Sequence, residues 1–370
     1  MAKLKIGFVG AGFVAHFHAR AIQQVRGLNI SGVTSRTRES AAAFAKMAQD
    51  NGLGDCLIYD SVSQMAPHVD AIAIYSPNFT RVAIMEEIAA AVKAGAALKG
   101  VICEKPLARN VAEARRLVDL ADEAGLRTAY FENQIFMKPI KTQLAQLAPQ
   151  QKTMGPLVLT RSAEEHGGPH EPWFWDPTRQ GGGVLSDMGC HSIAVGWYAL
   201  TPIGKSPTFL EPVAITADCA LLKWGQPAWR EKLLNEQGVD YSQTPAEDFA
   251  TGMVTFRNPE TGQLVKAQFT DSWMFENRAC ASSWTAWGLA TPLKSTPCAP
   301  PWKSSSVMPP PKPSPMPKPP WKKPPPRVAC WPSNTTNQTY TATPTKTKTP
   351  CAPSWPAKTP SSTGNTAWKS

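Results

Sequence analysis

The fold of this chain is decided by residues 3–21, which read K-L-K-I-G-F-V-G-A-G-F-V-A-H-F-H-A-R-A. The apolar run at 4–9 is short and typical of a buried strand. It stops at two closely spaced glycines, and a helical pattern follows at once. The chain therefore opens with a strand, a glycine turn and a helix.

The glycine turn reads G-x-G-x-x-A at that strand-to-helix junction. Gly10 permits the tight turn, Gly12 lets a pyrophosphate approach the backbone, and the small Ala15 lets the helix pack close to the sheet. The phosphates would lie on the helix N-terminus, where unpaired N–H groups favour anions. The alternative is a tight glycine turn with no ligand. The residues that we expect to bind a dinucleotide here are Gly10, Gly12, Phe13 and Val14.

Strands and helices alternate through the first third of the chain. The predicted strands cover 4–9, 28–34, 57–59, 71–75, 100–103 and 127–131, and the predicted helices that follow the first one cover 38–51, 81–94 and 110–124. This alternation predicts a parallel, doubly wound Rossmann sheet, an α/β fold.

The pattern changes after Pro156. Long strands are predicted at 157–164, 213–224, 250–257 and 264–273, with little helix between them, and the main helix at 183–200. This favours an α+β domain with a largely antiparallel open sheet. We therefore divide the chain into a Rossmann domain (1–135), a substrate-binding domain (136–276) and a tail (277–370).

The second strand ends at T-S-R-T-R, residues 34–38, where an NAD site usually places an acidic residue on the ribose 2′-hydroxyl. Ser35 and Arg36 suit a 2′-phosphate instead. NADP or NAD is therefore the expected cofactor, with NADP favoured, although arginines are also common on the surface after a strand.

The net charge of +10 is confined to the tail. Residues 277–370 hold 12 of the 38 basic residues and no acidic one, so the rest of the chain carries 26 basic against 28 acidic side chains. The body therefore gives no reason to expect a nucleic-acid partner. No stretch is long enough for a membrane span, no signal peptide is visible, and no cysteine pair has zinc-like spacing, so we expect a cytoplasmic protein with reduced thiols.

Two short motifs carry chemistry. Lys105, in E-K-P at the end of a predicted strand, can polarise a substrate oxygen, or is simply a solvated lysine. Asp187 and His191 lie four residues apart on the predicted main helix, so they share a face. Such a pair can orient a hydroxyl group and exchange its proton. The alternative is an aspartate at the helix start and a histidine in the core.

The motifs occur together in one order: G-x-G-x-x-A at 10–15, P-N at 77–78, E-K-P at 104–106 and G-G-G-V-L-S-D-M-G-C-H at 181–191. In this combination the chain resembles the glucose–fructose oxidoreductase, inositol dehydrogenase and rhizopine-catabolism (Gfo/Idh/MocA) family. The resemblance covers about residues 3–276.

The resemblance implies an NAD(P)-dependent oxidoreductase acting on a sugar, polyol or related hydroxyl compound. It implies that Lys105 and His191 flank the nicotinamide and that Asp187 contacts the substrate. By the same resemblance, Ser76, Pro77, Asn78, Glu104 and Lys105 contribute to the cofactor site. Many members have a histidine where this chain has Arg81, so the contacts on the nicotinamide side are less defined. A family-like homo-oligomer is expected only if the tail permits it.

Two other functions remain open on the same fold. Some relatives keep the cofactor bound and cleave glycosides through transient oxidation. Others are expected to be non-catalytic regulators that sense a sugar or a nucleotide.

A loop rich in aromatic and polar residues precedes the main helix. Aromatic faces and hydrogen-bonding tips suit a sugar ring, although the tryptophans equally suit packing of the loop onto the sheet. The candidate substrate residues are His166, His170, Trp175 and Asp176. The spacing of the histidines and aspartates fits no familiar metal site, so no metal is expected.

The tail has an unusual composition, with 21 of the 36 prolines and seven of the 13 tryptophans. Loss of one nucleotide near codon 277 accounts for this, since proline codons then replace alanine-type codons and lysine codons often replace glutamate codons. The alternative is a native Pro/Lys-rich interaction tail. We expect residues 277–370 to be disordered and to supply no central strand. The strand ending at Trp273 would then miss neighbours, and the protein would be poorly soluble and weakly active.

Overall fold

The computed structural model describes residues 3–275, 281–287 and 292–293. Within them the chain forms two six-stranded sheets. The first is parallel, with strand order β3-β2-β1-β4-β5-β6. Its strands are β1 (Leu4–Val9), β2 (Leu28–Thr34), β3 (Leu57–Ile58), β4 (Ala71–Ile74), β5 (Gly100–Glu104) and β6 (Arg127–Phe131). The predicted Rossmann sheet is confirmed.

Helices cover both faces of this sheet, because its central strands are apolar on both sides. They are α1 (Phe13–Ile22), α2 (Arg38–Asp50), α3 (Val62–Met65), α4 (Arg81–Lys93) and α5 (Val111–Glu123). Phe8 and Phe44 belong to the core on one face, and Ile72 and Met85 to the core on the other. The side chain of Asn110 accepts a hydrogen bond from the Glu113 N–H and caps α5, as its position predicts.

The second sheet has the order β12-β11-β7-β10-β9-β8. Its strands are β7 (Leu159–Glu165), β8 (Glu211–Ala220), β9 (Phe249–Arg257), β10 (Leu264–Ser272), β11 (Ala281–Trp287) and β12 (Pro292–Leu293). Every pairing is antiparallel except that of β7 with β10. The sheet is thus mixed and mostly antiparallel, as expected, while the domain division at residue 135 stays a prediction.

In the described part of this half the α-helices are α6 (Lys138–Met154), α7 (Pro177–Gln180), α8 (Cys190–Leu200) and α9 (Pro227–Gln237). A π-helical segment, Leu185–Gly189, leads into α8, and we call residues 184–200 the active-site helix. The expectation of little helix between the strands is wrong for α9. Pro227 starts that helix at its first turn and Gly238, with φ +69°, ends it.

The expected absence of a central strand in the tail is also wrong. The described part of the tail forms β11, which pairs with β7, and β12, which pairs with β11. The reason is that β11 contains no proline, since the first proline of the tail is Pro292. The expectation that the strand ending at Trp273 misses neighbours is wrong as well, because β10 pairs on both sides with strands of the body, β9 and β7. The rest of the tail, and with it the expected disorder, lies outside the described residues.

Cysteine placement follows the expectation in part. The four free thiols in the described residues include buried Cys56 and Cys103, but Cys219 is exposed. No helix within the described ranges combines the length and apolar character needed to cross a bilayer.

Candidate active site

The glycine turn has the geometry that a dinucleotide needs. Gly10 has φ +100°, and a Cβ there would lie 3.0 Å from the Ser76 backbone nitrogen, so only glycine fits. A Cβ on Gly12 would meet no atom within 4 Å, which leaves open space at the start of α1. That helix has no side-chain cap and no acidic residue in its first turn. Its N-terminus is therefore suited to phosphate.

The side chains that follow β2 differ in the hydrogen bonds and ion pairs that they form. Ser35 Oγ accepts a hydrogen bond from Ser40 Oγ at 3.0 Å. Arg38 forms an ion pair with Asp60 at 2.7 Å, whereas Arg36 is exposed and forms no ion pair with any described residue. Arg36 is thus the basic side chain available beside the expected ribose position.

The loop after β4 is tied to the second half of the chain. Asn78 is 2% exposed, and its Nδ2 donates to the backbone carbonyl of Gln180, just before the active-site helix. Asn78 Oδ1 is buried without a hydrogen-bond partner among the described residues. Ser76 Oγ accepts a hydrogen bond from Thr80 Oγ1 at 2.9 Å, and Pro77 precedes the buried asparagine.

Arg81 fastens the ends of two neighbouring strands together. Its side chain is buried, and it donates to the backbone carbonyl oxygens of Ser76, Glu104, Pro106 and Leu107. Arg81 therefore holds the E-K-P turn in place through hydrogen bonds to its backbone carbonyl oxygens. The departure from the family pattern at this position has a structural role.

Glu104 is held by a histidine that the sequence analysis missed. His18 Nε2 lies 2.5 Å from Glu104 Oε1, and its ring stacks on Tyr75 and Phe131, with centroids 4.6 and 5.1 Å away. The other carboxylate oxygen of Glu104 accepts from the Lys105 N–H at 3.0 Å. Both oxygens are thus engaged within the Rossmann half.

Lys105 reaches from β5 to the active-site helix. Its Nζ donates to the backbone oxygen of Asp187 at 2.9 Å and to Oδ1 at 3.2 Å. Asp187 Oδ2 accepts a hydrogen bond from Trp273 Nε1 at 3.3 Å and lies 3.4 Å from His166 Nε2. The Gly168 N–H donates to His166 Nδ1 at 3.0 Å, so the ring proton of neutral His166 lies on Nε2, facing Asp187.

The charges of this cluster stabilise each other. Burial alone would raise the pKa of Asp187, but the Lys105 ammonium and then His166 hold it well below its ordinary value. Burial alone would lower the pKa of Lys105, and Asp187 raises it instead. Asp187 is consequently a carboxylate occupied by three donors.

His191 faces a different carboxylate. Its Nδ1 lies 2.7 Å from both oxygens of Glu132, and both side chains are buried. Glu132 follows β6 directly, at the same sheet edge as Asn78 and Glu104. Lys105 was selected by its position after a predicted strand, and the same reasoning applies to Glu132, so the sequence carried a signal that we did not use.

Asp187 and His191 have separate partners although they lie only four residues apart. Their spacing predicts a common face in an α-helix. Asp187 lies in the π-helical segment and contacts Lys105, which follows β5, whereas His191 lies in α8 and contacts Glu132, which follows β6. Just before this segment, Gly183 lies against the Glu247 backbone, and a Cβ on Gly183 would lie 2.0 Å from the Glu247 carbonyl oxygen. Glu247 Oε1 accepts hydrogen bonds from the Gly183 and Leu185 N–H groups.

The loop before the helix contributes unequally. His166 lies in the cluster, whereas His170 is exposed and has no hydrogen bond to a described residue. Trp175 is 1% exposed, packs edge-on against Trp224 and donates its Nε1 to Gln237, so it belongs to the core. Asp176 caps α7 by accepting the Thr178 N–H. Trp175 is therefore covered by the core, which is the packing alternative, while a sugar contact of Asp176 stays a prediction.

One set of described side chains has ligand atoms close enough to hold a metal ion. It consists of Glu132, Cys190 and His191, whose ligand atoms all lie within 4.8 Å of one another. Burial raises the pKa of Cys190 to about 12, and its Sγ donates to the Asp187 carbonyl at 3.3 Å. The direct hydrogen bond between Glu132 and His191 explains why their ligand atoms lie so close together, without a metal ion between them.

Two family models match the chain. A model described as an oxidoreductase family with an NAD-binding Rossmann fold matches residues 4–131, and one described as the GFO/IDH/MocA C-terminal domain matches residues 143–279. Both belong to one family, and together they cover more than half of the chain.

Individual relatives are more distant. The chain is 30% identical over 204 residues to the uncharacterized protein YMR315W of Saccharomyces cerevisiae, covering 53% of this chain and 55% of the relative. It is 25% identical over 198 residues to glucose-6-phosphate 3-dehydrogenase of Bacillus subtilis, covering 52% and 53%. The chain thus spans about half the length of the curated relatives it matches.

Solved structures confirm the fold. The crystal structure of GenD2 from gentamicin A biosynthesis in complex with NAD superposes with a TM-score of 0.60 at 20% identity, covering 79% of this chain and 72% of that chain.

Proposed function

Because the chain belongs to the Gfo/Idh/MocA oxidoreductase family, we propose that it transfers hydride between a nicotinamide cofactor and a sugar, polyol or related compound. The observation that carries the proposal is the contact of Lys105 Nζ with Asp187. It joins the sheet edge that bears the glycine turn to the helix that bears His191.

The cofactor fits the residues present. The uncapped start of α1 and the open space beside Gly12 suit the pyrophosphate. We propose NADP over NAD, because Arg36 is exposed and forms no ion pair with a described residue, and because no acidic residue stands at the end of β2. When bound, the nicotinamide would accept or supply the hydride.

His191 is proposed to exchange the proton of the substrate hydroxyl. Its Nδ1 is engaged by Glu132, so Nε2 is the ring nitrogen that remains for the substrate. In the oxidation direction Nε2 takes the hydroxyl proton as the carbonyl forms, and in reduction it returns that proton.

Lys105 is proposed to stabilise the substrate oxygen. Its ammonium stays protonated because the Asp187 carboxylate beside it raises the pKa of Lys105. A fixed positive charge beside a developing alkoxide lowers the barrier without needing to reorganise. Asp187 positions Lys105 and His166, and direct substrate contact through its carboxylate would need one of its three donors to leave.

The substrate class rests on relatives and on the site. One relative is named glucose-6-phosphate 3-dehydrogenase, and the site combines two imidazoles with an ammonium, which suits a molecule with several hydroxyl groups. We also propose a reducing, cytoplasmic environment, since all four cysteines among the described residues are free thiols.

Glycoside cleavage through transient oxidation is the second candidate. It is favoured by the His166–Asp187 pair, since a second acid–base group is needed to remove a proton beside a transient carbonyl. A regulator that only binds a sugar has no use for either imidazole as a base.

A panel of sugars, polyols and glycosides, incubated with NADP or NAD, tests these alternatives. The proposed dehydrogenase produces reduced cofactor in proportion to the carbonyl product. Glycoside cleavage without net reduction would select the second candidate, and ligand binding with neither reaction would select the regulator.

A further inference from the structure

Glu132 is the buried carboxylate that faces His191. It stands at the end of β6, is 5% exposed, and directs both carboxylate oxygens to one nitrogen of His191, at 2.7 Å each. Glu132 Oε1 also accepts the backbone N–H of Gln134 at 2.9 Å. A buried carboxylate held in this way is a costly feature, which is retained only where it is paired.

We propose that Glu132 is the positioning residue for proton transfer, because it keeps the His191 proton on Nδ1 and leaves Nε2 unprotonated toward the substrate. The inference rests on the proposed function and deepens it. A carboxylate accepts hydrogen bonds and cannot donate one, so it selects the tautomer with a proton on the nitrogen that it faces. Triads that pair an imidazole with a buried carboxylate use the same principle.

The neighbouring groups leave this task to Glu132. Asp187 is occupied by Lys105, Trp273 and His166. Cys190 precedes His191, but burial keeps it a thiol, and its Sγ donates to a backbone carbonyl. Among the described residues, Glu132 is therefore the anionic group that hydrogen-bonds His191.

The arrangement also specifies how the proton moves. In the oxidation direction, Nε2 takes the hydroxyl proton while Nδ1 keeps its own, so the ring becomes a cation next to the Glu132 carboxylate. The carboxylate stabilises that cation and does not itself take the proton. The carbon that bears this hydroxyl loses a hydride, which the nicotinamide cofactor would accept, so the substrate loses two electrons and two hydrogens in total.

Glu132→Gln is the informative variant, because an amide can turn its NH₂ toward Nδ1 and stabilise the other tautomer. We expect kcat to fall about 100-fold or more, with cofactor affinity changed less than about threefold. Glu132→Asp, which keeps the charge, should recover part of that loss. The matched control is Glu165→Gln, since Glu165 bonds Ser272 and does not touch His191.

Two readouts separate positioning from folding. Nitrogen-15 NMR of labelled histidine should show neutral His191 protonated on Nδ1 in the wild type and on Nε2, or on both nitrogens in exchange, in Glu132→Gln. In a His191→Ala background, Glu132→Gln should reduce turnover less than about twofold further, because its effect passes through the imidazole.

Several results would overturn the inference. One is an Nε2-protonated His191 in the wild type; another is a full additional loss from Glu132→Gln in the His191→Ala background. A chelator that abolishes activity, with recovery on adding Zn²⁺, would show that Glu132 holds a metal with Cys190 and His191 instead. If the wild type reduces no cofactor, the proposed function fails, while the NMR result still decides the tautomer.

Discussion

Lys105 Nζ lies 2.9 Å from the backbone oxygen of Asp187 and 3.2 Å from its Oδ1, across 82 positions of sequence. The contact joins the carboxyl edge of the parallel sheet to the active-site helix. The Asp187 carboxylate keeps Lys105 protonated before any substrate arrives, so the lysine is held as a fixed ammonium.

Arg36→Ala should weaken NADP binding about tenfold or more while changing NAD binding less than about twofold. The side chain is exposed and forms no ion pair with a described residue, and a 2′-phosphate gains a charge-assisted bond from it. Fluorescence titration with both cofactors measures this. The control is Arg38→Ala, whose guanidinium is engaged by Asp60. Tighter binding of NAD than NADP, unaffected by Arg36→Ala, contradicts the proposed preference.

Asp271→Asn should make stability less dependent on pH. Burial, opposed by the Ser192 hydrogen bond and reinforced by Glu164 and Asp187, raises the pKa of Asp271 from 3.8 to about 8. The folded protein therefore binds one more proton than the unfolded chain between these pH values. Its free energy of unfolding should fall as pH rises from about 4 to about 8, and this contribution should stay constant above.

Urea unfolding at several pH values measures that dependence. The variant, which is neutral throughout, should lose less stability than the wild type over this range and be the more stable of the two above pH 8. Asp218→Asn, an exposed change on β8, is the control and should follow the wild type. Identical pH profiles for wild type and Asp271→Asn would mean that Asp271 ionises normally.

Arg81→Met should lower the free energy of unfolding by roughly 3 kcal/mol, because several buried carbonyl oxygens lose a charged donor. The E-K-P turn should loosen as well, so the KM for the substrate should rise. Arg116→Met removes an arginine whose ion pair with Glu86 is exposed and should cost about 0–1 kcal/mol. Equal effects of the two substitutions on unfolding would remove the structural role assigned to Arg81.

The sequence predicted the features that depend on local pattern. The glycine turn, the alternation of strands and helices, and the sheet edge where Asn78 and Glu104 lie all follow from short-range spacing. Lys105 was selected in the same way, by its position after a strand.

What was missed depends on three-dimensional context. The partners of Asp187 and His191 were not predictable from a spacing of four, because Lys105 and Glu132 come from the ends of two distant strands. The sequence left open whether Trp175 contacts a sugar or packs the loop onto the sheet, and only the structure shows that it packs against Trp224. Average composition similarly concealed β11, a proline-free segment in a proline-rich tail.

Hydrogen exchange should show protected amides in β11, because this strand pairs with β7 along its length. Exchange at the unprotected rate throughout 281–287 would contradict the pairing.

The frameshift stays a hypothesis, since most of the tail lies outside the described residues. Resequencing the coding DNA around codons 276–278 decides it directly. If one nucleotide is missing, restoring the frame should increase both soluble yield and turnover. An intact reading frame there would favour the native Pro/Lys-rich interaction tail.

The central claim is that Lys105 and His191 perform the oxygen chemistry while the glycine turn binds the cofactor. The most direct test measures cofactor affinity and turnover together in Lys105→Met and His191→Ala, using Lys99→Met and His68→Ala as controls and any substrate that reduces the cofactor. Lys99 pairs with Asp70 just before the opposite end of β5, and His68 is exposed. The account predicts that each active-site variant loses about 10²–10⁴-fold in turnover with cofactor binding nearly unchanged, while the controls keep both. Near-normal turnover in either active-site variant would contradict it.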